Sequence, residues 1–451
     1  MRASARDRAT AIPAVVAGGS EVVLGVVRDL GYRQVPVVAM GPDESMPAFR
    51  SRYCTALRCA DPHYDEKQFV ADLEAAAVTL PQRGVLFAAD DDFARAISRN
   101  RTRLQRSYIV PVAAWEQMRV LADKMAQIEI AARADIETPI TAIIRGADDL
   151  GAAAEAVPFP AVLKSVVPTA LLRCADRKVV TMEDRERLAE TYGRFSSARP
   201  FLLQELIPGG DTELYISGAY HDAQSHCLAL FTGRKLRQHP RGFGTARLCE
   251  TRWEPEIAEL TLRLLAEARY QGISDVEFKR DARDGRFKFM EINPRPGYLA
   301  ALPRAAGVNL SYVAYRDAIG RPCPPCRQRD GVRWTDLLRD GPDSLREWWR
   351  GELKLGDWLR PLAGVRADAW LSVRDLRPAL GEIRPMTRRA RLVVAPGWSA
   401  GHPSGSRGRP PATGTCAVDA SESRSRPAPC LGQTASESGR SHAASVCNAP
   451  S

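Results

Sequence analysis

The sequence predicts a multidomain protein of the α/β and α+β class, with a parallel sheet in its N-terminal domain. Short apolar runs alternate with helical patterns from Pro13 to about Pro111, a β-α-β-α rhythm typical of a doubly wound parallel sheet. Further along, two strand-like segments flank Asp284-Gly285, a dipeptide that favours an antiparallel hairpin turn. The 451 residues, 45% of them hydrophobic, are enough for two or three domains.

The first hundred residues contain the clearest element pattern. We predict strands at 14–17, 35–39 and 84–88 and a helix at 21–30 that ends at Gly31. Gly18-Gly19 lacks the full GxGxxG spacing, so it predicts a tight turn rather than a dinucleotide site. The acidic run at 90–92 follows a strand end, where it caps a helix or contacts an amine substrate.

Composition excludes several function classes. No run approaches the ~18 apolar residues of a membrane span, and we expect no export signal and no membrane partner. The ten cysteines include one tight pair, Cys323 and Cys326, without a second pair at zinc-site spacing, so we expect reduced thiols and a cytoplasmic location. The net charge of +10 is dispersed among acids, which favours small anionic ligands over nucleic acid.

The pattern after residue 114 predicts a mixed α+β region, followed by a segment too polar to form a hydrophobic core. We expect a helix at 115–133, strands at 160–164, 201–207 and 212–220, and an amphipathic helix at 254–270. Residues 326–394 predict short helices rich in Trp. Residues 395–451 are rich in Ser, Gly, Pro, Ala and Arg, a composition typical of a disordered tail.

The predicted hairpin places acidic side chains on one strand face. If Glu277 lies opposite Glu291, alternation puts both of them, with Phe289 and Asn293, on the same face. The same register pairs Lys279 with Phe289 and Asp281 with Phe287, and it leaves a loop at 282–286.

Two carboxylates paired across strands lie ~5 Å apart and repel each other unless a cation lies between them. Oxygen ligands from Glu277, Glu291 and Asn293 favour Mg²⁺ or Mn²⁺ over zinc. Arg295, just after the strand, is placed to bind phosphate or acyl-phosphate oxygens. The alternative interpretation is a solvated hairpin whose charged side chains face outward.

The series Glu277, Glu291-Ile-Asn293-Pro-Arg295 resembles the metal-binding end of the ATP-grasp superfamily. The spacing of 14 residues between the glutamates is similar to that of its carbamoyl-phosphate-synthetase-like branch. The segments at 231–240 and 242–244 are similar to the D-aspartate-ligase-like carboxylate–amine ligases. The resemblance covers about residues 12–325.

The resemblance implies roles for other residues. Lys124 and Lys164 are similar to the two lysines that bind ATP phosphates, and Glu213, or less favourably Asp211, is similar to the residue that binds the ribose. The adenine hinge is matched by Gln204, Glu205, Leu206 and Ile207. Lys235 and Arg237, with Arg234, add charge near the phosphates or substrate carboxylate, the alternative being a solvated loop. The segment at 165–170 lacks the glycines of many family members, so Thr169 and Arg173 are candidates for covering the phosphates.

The resemblance implies a pre-ATP-grasp domain at 12–114 and a two-lobed ATP-grasp domain at 115–325, with the small lobe at about 140–207. A helical extension at 326–394 and the tail at 395–451 follow. The implied reaction uses ATP and Mg²⁺ (or Mn²⁺) to convert a small-molecule carboxylate to an acyl-phosphate, which an amine then attacks. A carboxylase, another acyl-phosphate enzyme with a non-amine acceptor and a non-catalytic nucleotide-binding protein stay open as alternatives, as does a homo-oligomer.

Overall fold

The computed structural model describes residues 11–166, 171, 179–195, 199–323 and 325–383. The predicted tail and the candidates Thr169 and Arg173 lie outside the described residues, so those expectations stay predictions. Among the residues described, no helix is both long and apolar enough to cross a membrane.

The N-terminal region forms the predicted parallel sheet, with the strand order β3-β2-β1-β4-β5. Its elements are β1 (Ala14–Ala17), α1 (Val22–Gly31), β2 (Val37–Gly41), β3 (Cys54–Arg58), α2 (Glu66–Val78), β4 (Gly84–Ala88), α3 (Asp91–Arg99), α4 (Arg101–Leu104) and β5 (Tyr108–Ile109). Every residue of β1 and β4 is buried, as expected for central parallel strands. The chain order reverses between β1 and β4, and ligands of such sheets bind beyond the carboxyl ends of the strands at that point.

The helical pattern predicted at 115–133 forms two helices, α5 (Trp115–Leu121) and α6 (Lys124–Arg133). The break has a local cause, because the Asp123 carboxylate accepts hydrogen bonds from the backbone N–H groups of Met125 and Ala126. This cap begins a new helix at Lys124.

A four-stranded antiparallel sheet follows, with the order β6-β9-β7-β8. Its elements are β6 (Thr141–Ile144), α7 (Asp149–Ala156), β7 (Ala161–Ser165), β8 (Val179–Met182), α8 (Arg185–Arg194) and β9 (Phe201–Glu205). Leu163 and Phe201 belong to a separate apolar core on one face of this sheet. Since side chains alternate along a strand, Lys164 lies on the opposite face from Leu163.

The largest sheet has seven strands in the order β14-β13-β10-β11-β12-β15-β16. Its elements are β10 (Leu214–His221), β11 (Cys227–His239), β12 (Thr245–Thr251), α9 (Pro255–Glu267), β13 (Gly272–Arg280), β14 (Phe287–Asn293), α10 (Ala301–Ala306), α11 (Leu310–Ala318), β15 (Arg333–Thr335), α12 (Leu337–Trp349), α13 (Leu355–Leu359) and β16 (Val365–Asp368). The expectation of short helices alone after residue 326 is corrected, because β15 and β16 extend this sheet.

A buried ion pair joins the last described segment to the first helix. Arg28 of α1 is 2% exposed, and its Nε lies 3.1 Å from the Asp375 carboxylate. The same guanidinium donates to the backbone oxygen of Trp370 at 2.9 Å, and Ser51 Oγ donates to Asp375 at 2.8 Å. These contacts hold residues 369–375 against the N-terminal sheet.

Candidate active site

The acidic hairpin has the predicted pairing at its centre. Glu277 of β13 lies opposite Glu291 of β14, and Asp275 lies opposite Asn293. Because alternate residues share a face, all four side chains are on one face of the seven-stranded sheet. All four are partly exposed, so this face lines a cleft rather than the core.

A β-bulge changes the hairpin beyond the two glutamates. The register shifts between Glu277 and Phe278, so that Met290 has no partner and Phe278 lies opposite Phe289. Phe289 therefore lies on the face opposite Glu291, 2% exposed, with its ring centroid 5.9 Å from that of Phe278. The prediction that Phe289 shares the acidic face is wrong, because the bulge turns its ring into the apolar core.

The bulge also corrects the register toward the loop. The predicted pairings of Lys279 with Phe289 and of Asp281 with Phe287 are wrong. The observed pairs are Phe278 with Phe289, Lys279 with Lys288 and Arg280 with Phe287. The loop consequently spans 281–286 rather than 282–286.

Lys235 of β11 neutralises Glu277. Its Nζ donates to both carboxylate oxygens, at 3.0 and 2.9 Å, and the lysine is 5% exposed. Burial opposes the ammonium charge, but the adjacent Glu277 carboxylate outweighs it and raises the pKa of Lys235 above its ordinary value. The predicted lysine is therefore charged and directed at the acidic pair.

Two further lysines reach the same face from other elements. Lys124, the first residue of α6, places its Nζ 3.9 Å from the Glu291 carboxylate. Lys164 of β7 donates to Gln204 Oε1 at 2.8 Å. Burial and the neighbouring Lys124 ammonium lower the pKa of Lys164 to about 8. Because Glu277 and Glu291 act in the opposite direction on this pKa, Lys164 shares the electrostatic field of the acidic pair.

The predicted hinge begins at the end of β9 and continues past it, and hydrogen bonds hold it in place. Glu205 N–H donates to the Ile140 oxygen at 2.8 Å, and Leu206 N–H donates to the Pro160 oxygen at 3.2 Å. The buried Glu205 carboxylate accepts a hydrogen bond from Arg283 in the hairpin loop. The contact between Arg283 and Glu205 could not be predicted from the sequence, because a polar loop residue gives no indication of which distant side chain it will contact.

The two candidates for ribose binding have different surroundings. Glu213 is bound by Arg280, whose Nε lies 2.7 Å from its carboxylate. Asp211 instead accepts hydrogen bonds from Gln238 Nε2 at 2.9 Å and from the Gly242 N–H at 3.0 Å. Asp211 therefore stabilises the β11–β12 connection, which leaves Glu213 as the better candidate.

Arg295 joins the hairpin to the N-terminal sheet. Its Nε donates to Asp91 Oδ1 at 2.7 Å, and burial of the guanidinium is outweighed by the Asp91 carboxylate, which raises its pKa. The preceding residue, Asp90, accepts hydrogen bonds from the N–H groups of Gly19 and Ser20 at 2.6 and 3.0 Å. Through Asp91, Arg295 is connected to the carboxyl end of β4, and Asp90 connects that end to the turn after β1.

Two predicted cations lie in other contacts. Arg237 forms a buried, two-point ion pair with Asp340 of α12, at 2.7 and 2.8 Å. Arg234 pairs with Glu250 at 2.7 Å. The structure does not bring either guanidinium to the acidic pair. The expected catalytic role of Arg237 stays a prediction, and a register shift in β11 between Lys235 and Arg237 interrupts the alternation that would put both side chains on one face.

Comparisons with known proteins agree with this architecture. No protein-family model matches the chain. Over 278 residues it is 25% identical to a D-aspartate ligase of Enterococcus faecium (strain Aus0004), an alignment that covers 59% of this chain and 62% of that protein. The chain thus matches a little over three fifths of the relative's length.

Solved structures match over most of the chain. An N5-carboxyaminoimidazole ribonucleotide synthetase in complex with ADP has a TM-score of 0.57 at 13% identity, covering 74% of this chain and 86% of that one. The biotin carboxylase domain of 2-oxoglutarate carboxylase from Hydrogenobacter thermophilus gives 0.55 at 14% identity, with 72% and 74% covered. L-amino acid ligase from Bacillus licheniformis gives a TM-score of 0.51 at 16% identity, with 68% and 74% covered.

The chain has the fold of the ATP-grasp enzymes. The matched structures include both carboxylases and a ligase, so at these identities they establish the ATP-grasp fold and leave the reaction open. The predicted fold class is confirmed.

The same face as the acidic pair contains two further charged side chains for which the sequence predicted no role. Asp275 and Lys279 flank Glu277 at two-residue spacing, so strand alternation alone would have placed them on its face. Burial and the neighbouring Glu277 raise the pKa of Asp275 to about 7. A Cβ on Gly297 would lie 2.6 Å from the Asp275 carboxyl carbon, so only glycine allows this close approach. Burial lowers the pKa of Lys279.

The donor set of the cleft fits a hard divalent cation. In the described part of the chain, no group of three or more His, Cys, Asp or Glu side chains is arranged to hold a metal ion on its own. The candidate set instead consists of two glutamates and the Asn293 amide, all oxygen donors. Mg²⁺ usually binds through one or two carboxylates together with substrate phosphates, so this set fits a metal that arrives with a nucleotide.

Proposed function

We propose that this chain is an ADP-forming carboxylate–amine ligase. A substrate carboxylate oxygen attacks the γ-phosphorus of ATP, the bond to the β-γ bridging oxygen breaks, and an acyl-phosphate and ADP form. The amine nitrogen then attacks the acyl carbon, phosphate leaves, and the amine loses a proton to give the amide. The observation that supports this best is the meeting of three lysines with an acidic pair on one strand face.

Phosphoryl transfer needs positioning and charge neutralisation more than covalent help from the protein. In the proposal, Glu277, Glu291 and Asn293 hold Mg²⁺ (or Mn²⁺), which neutralises charge on the β- and γ-phosphates. Lys235 already balances one negative charge on Glu277. Lys124 lies beside Glu291, so the two glutamates and these two lysines together carry no net charge, which favours a metal site completed by phosphate oxygens.

Lys124 and Lys164 are the proposed ligands of the α- and β-phosphates. They come from α6 and β7, on different sides of the cleft, so a nucleotide between them bridges the small sheet and the hairpin. The backbone of Glu205 and Ile207 faces the adenine, with Gln204 and Leu206 shaping the hinge, and Glu213 binds the ribose hydroxyls. Arg295 binds the transferred phosphoryl group or the substrate carboxylate, and Lys235 supports it. Arg237 has no role in the proposal, because Asp340 binds its guanidinium at two points.

ADP affinity is expected to fall at alkaline pH through Lys164. Its pKa in the free protein is about 8, and a bound phosphate favours the charged form, so nucleotide binding raises that pKa. By linkage, affinity is constant below pH 8 and weakens above it by up to about tenfold per pH unit until the pKa of the complex is reached. Calorimetric titration with ADP at fixed Mg²⁺ measures this.

The matched variant Lys164→Arg keeps its charge throughout this range, so it should bind ADP without the alkaline inflection. Lys67→Arg, an exposed lysine on α2, is the control and should retain it. An unchanged inflection in Lys164→Arg would assign the titration to another group.

The relative's name suggests which substrate to try first. Because a curated protein similar to this chain is a D-aspartate ligase, we propose D-aspartate as the activated acid and an amino-acid or peptide amine as the acceptor. The fold matches to carboxylating enzymes favour one alternative reaction, an ATP-dependent carboxylation. In that reaction ATP activates bicarbonate, and the acceptor is carboxylated instead of forming an amide with an organic acid.

ADP release separates the two reactions. With Mg²⁺ and ATP, ADP formation should require D-aspartate, increase with an added amine and be weaker with L-aspartate. Hydroxylamine should trap the acyl-phosphate as a hydroxamate. ADP release that requires bicarbonate and no other carboxylic acid would support the carboxylase instead. If the protein binds ATP but releases no ADP with any amino acid, small peptide or bicarbonate, the result would support the alternative of a non-catalytic nucleotide-binding protein.

A further inference from the structure

Helix α12 binds the large sheet through its acidic side. Asp340 pairs with Arg237 at 2.7 Å, Asp343 with Arg247 at 3.1 Å, and Glu347 with Arg241 at 2.7 Å. These carboxylates lie at positions i, i+3 and i+7, so they form one helical face. A surface helix ordinarily turns its apolar face inward, and α12 has the reverse arrangement.

The opposite face of α12 consequently carries its apolar side chains outward. Leu345 is 50% exposed, Trp348 42% and Trp349 88%. Leu355 and Leu359 of α13 are 45% and 48% exposed. The two helices are joined by Trp358, whose indole N–H donates to Asp340 at 3.2 Å. We call the exposed side chains of residues 345–360 the Trp348 surface.

Cations outnumber acids on this surface. Its exposed charged residues are four cations, Arg346, Arg350, Lys354 and Arg360, and two acids, Glu352 and Asp357, and of the cations Arg346 also pairs with Asp343 at 3.4 Å. The imbalance arises because three acids of α12 face inward, where arginines neutralise them. The surface therefore combines exposed indole and leucine groups with an excess of positive charge, within a chain whose net charge is +10.

We propose that the Trp348 surface binds peripherally to an anionic lipid bilayer. Tryptophan prefers the boundary between headgroups and acyl chains, and neighbouring Arg and Lys side chains bind lipid phosphates there. A second copy of this chain fits less well, because two-fold contact would bring two positively charged surfaces together. The sequence expectation of no membrane partner considered only spanning segments, and this contact involves no span and is independent of the proposed reaction.

Vesicle sedimentation with the full chain tests the proposal. The protein should pellet with vesicles of equal phosphatidylglycerol and phosphatidylcholine, far less with phosphatidylcholine alone, and less at high salt. Trp348→Ser combined with Trp349→Ser should weaken binding by about tenfold or more. Trp253→Ser is the matched control, because Trp253 is 46% exposed but precedes α9, outside the Trp348 surface, and it should bind like the unchanged protein.

A second variant, Arg350→Glu with Lys354→Glu, keeps both indoles and should lose binding to the anionic vesicles. Circular dichroism and thermal melting check that each variant is folded. Absence of sedimentation with anionic vesicles would overturn the proposal, as would equal binding by the unchanged protein and both folded variants. A dimer that the Trp348→Ser/Trp349→Ser variant dissociates, without vesicle binding by either protein, would assign the surface to a second copy.

Discussion

Glu291→Ala is expected to reduce ADP formation by at least about a hundredfold while leaving the protein folded. The Glu291 side chain is 40% exposed, and its ion contact with Lys124 is a long 3.9 Å, so its loss removes little packing. Its proposed work lies in holding the metal against the phosphates, where charge develops during phosphoryl transfer. ADP release with saturating substrates measures the loss, and circular dichroism checks the fold.

Two further variants test whether the effect of Glu291→Ala comes from the loss of the carboxylate charge at this position. Glu291→Gln keeps the shape and removes the charge, so it should also lose most activity and should require higher Mg²⁺ for what remains. Glu74→Ala, at an exposed glutamate of α2 paired with Arg103, should leave ADP release unchanged. Near-normal turnover by Glu291→Ala would contradict the metal assignment and with it the proposed arrangement of phosphates.

Arg28→Met is expected to destabilise the protein by roughly 3–5 kcal/mol, the usual cost of breaking a buried ion pair on one side. The substitution leaves the fully buried Asp375 carboxylate without its countercharge and leaves the Trp370 backbone oxygen without its donor. Ser51 and the Arg52 N–H still donate to Asp375, which keeps the cost below that of an isolated charge.

Denaturant and thermal unfolding measure this change, with limited proteolysis reporting early release of residues 369–375. Arg133→Met, which breaks the exposed pair with Glu267, is the control and should shift the midpoint little. Adding Asp375→Leu to Arg28→Met should recover part of the lost stability, because it removes the unpaired charge. Equal unfolding midpoints for Arg28→Met and Arg133→Met would show that the ion pair between Arg28 and Asp375 does not contribute to the stability of the fold.

Local pattern was sufficient to predict the part of the site that depends on neighbouring residues. The Asp284-Gly285 turn and two-residue alternation together placed Glu277 opposite Glu291. The same alternation failed one residue later, because the bulge at Met290 inserts an unpaired residue. The bulge allows the Phe289 ring to be buried on the face opposite Glu291. The position of such a bulge cannot be predicted from a single sequence.

Partners distant in sequence account for the other differences. Arg237 is two residues from Lys235, which binds Glu277, yet Asp340, 103 residues away, binds Arg237. The strands β15 and β16 have three and four residues, too few for a visible two-residue period. The strands β1, β2 and β4 were predictable because each is a mainly apolar run, which burial on both sides of a parallel sheet requires, whereas the half-exposed edge strand β3 was not predicted.

The contact between Arg28 and Asp375 also sets an order of events during synthesis. These residues are separated by 347 positions, so at common translation rates roughly 20–70 s pass between their addition to the chain. During that interval the N-terminal sheet forms while the Arg28 guanidinium has none of its eventual acceptors from residues 369–375. The nascent protein therefore passes through a stage in which its first domain lacks these contacts, which form only after residues 369–375 have left the ribosome.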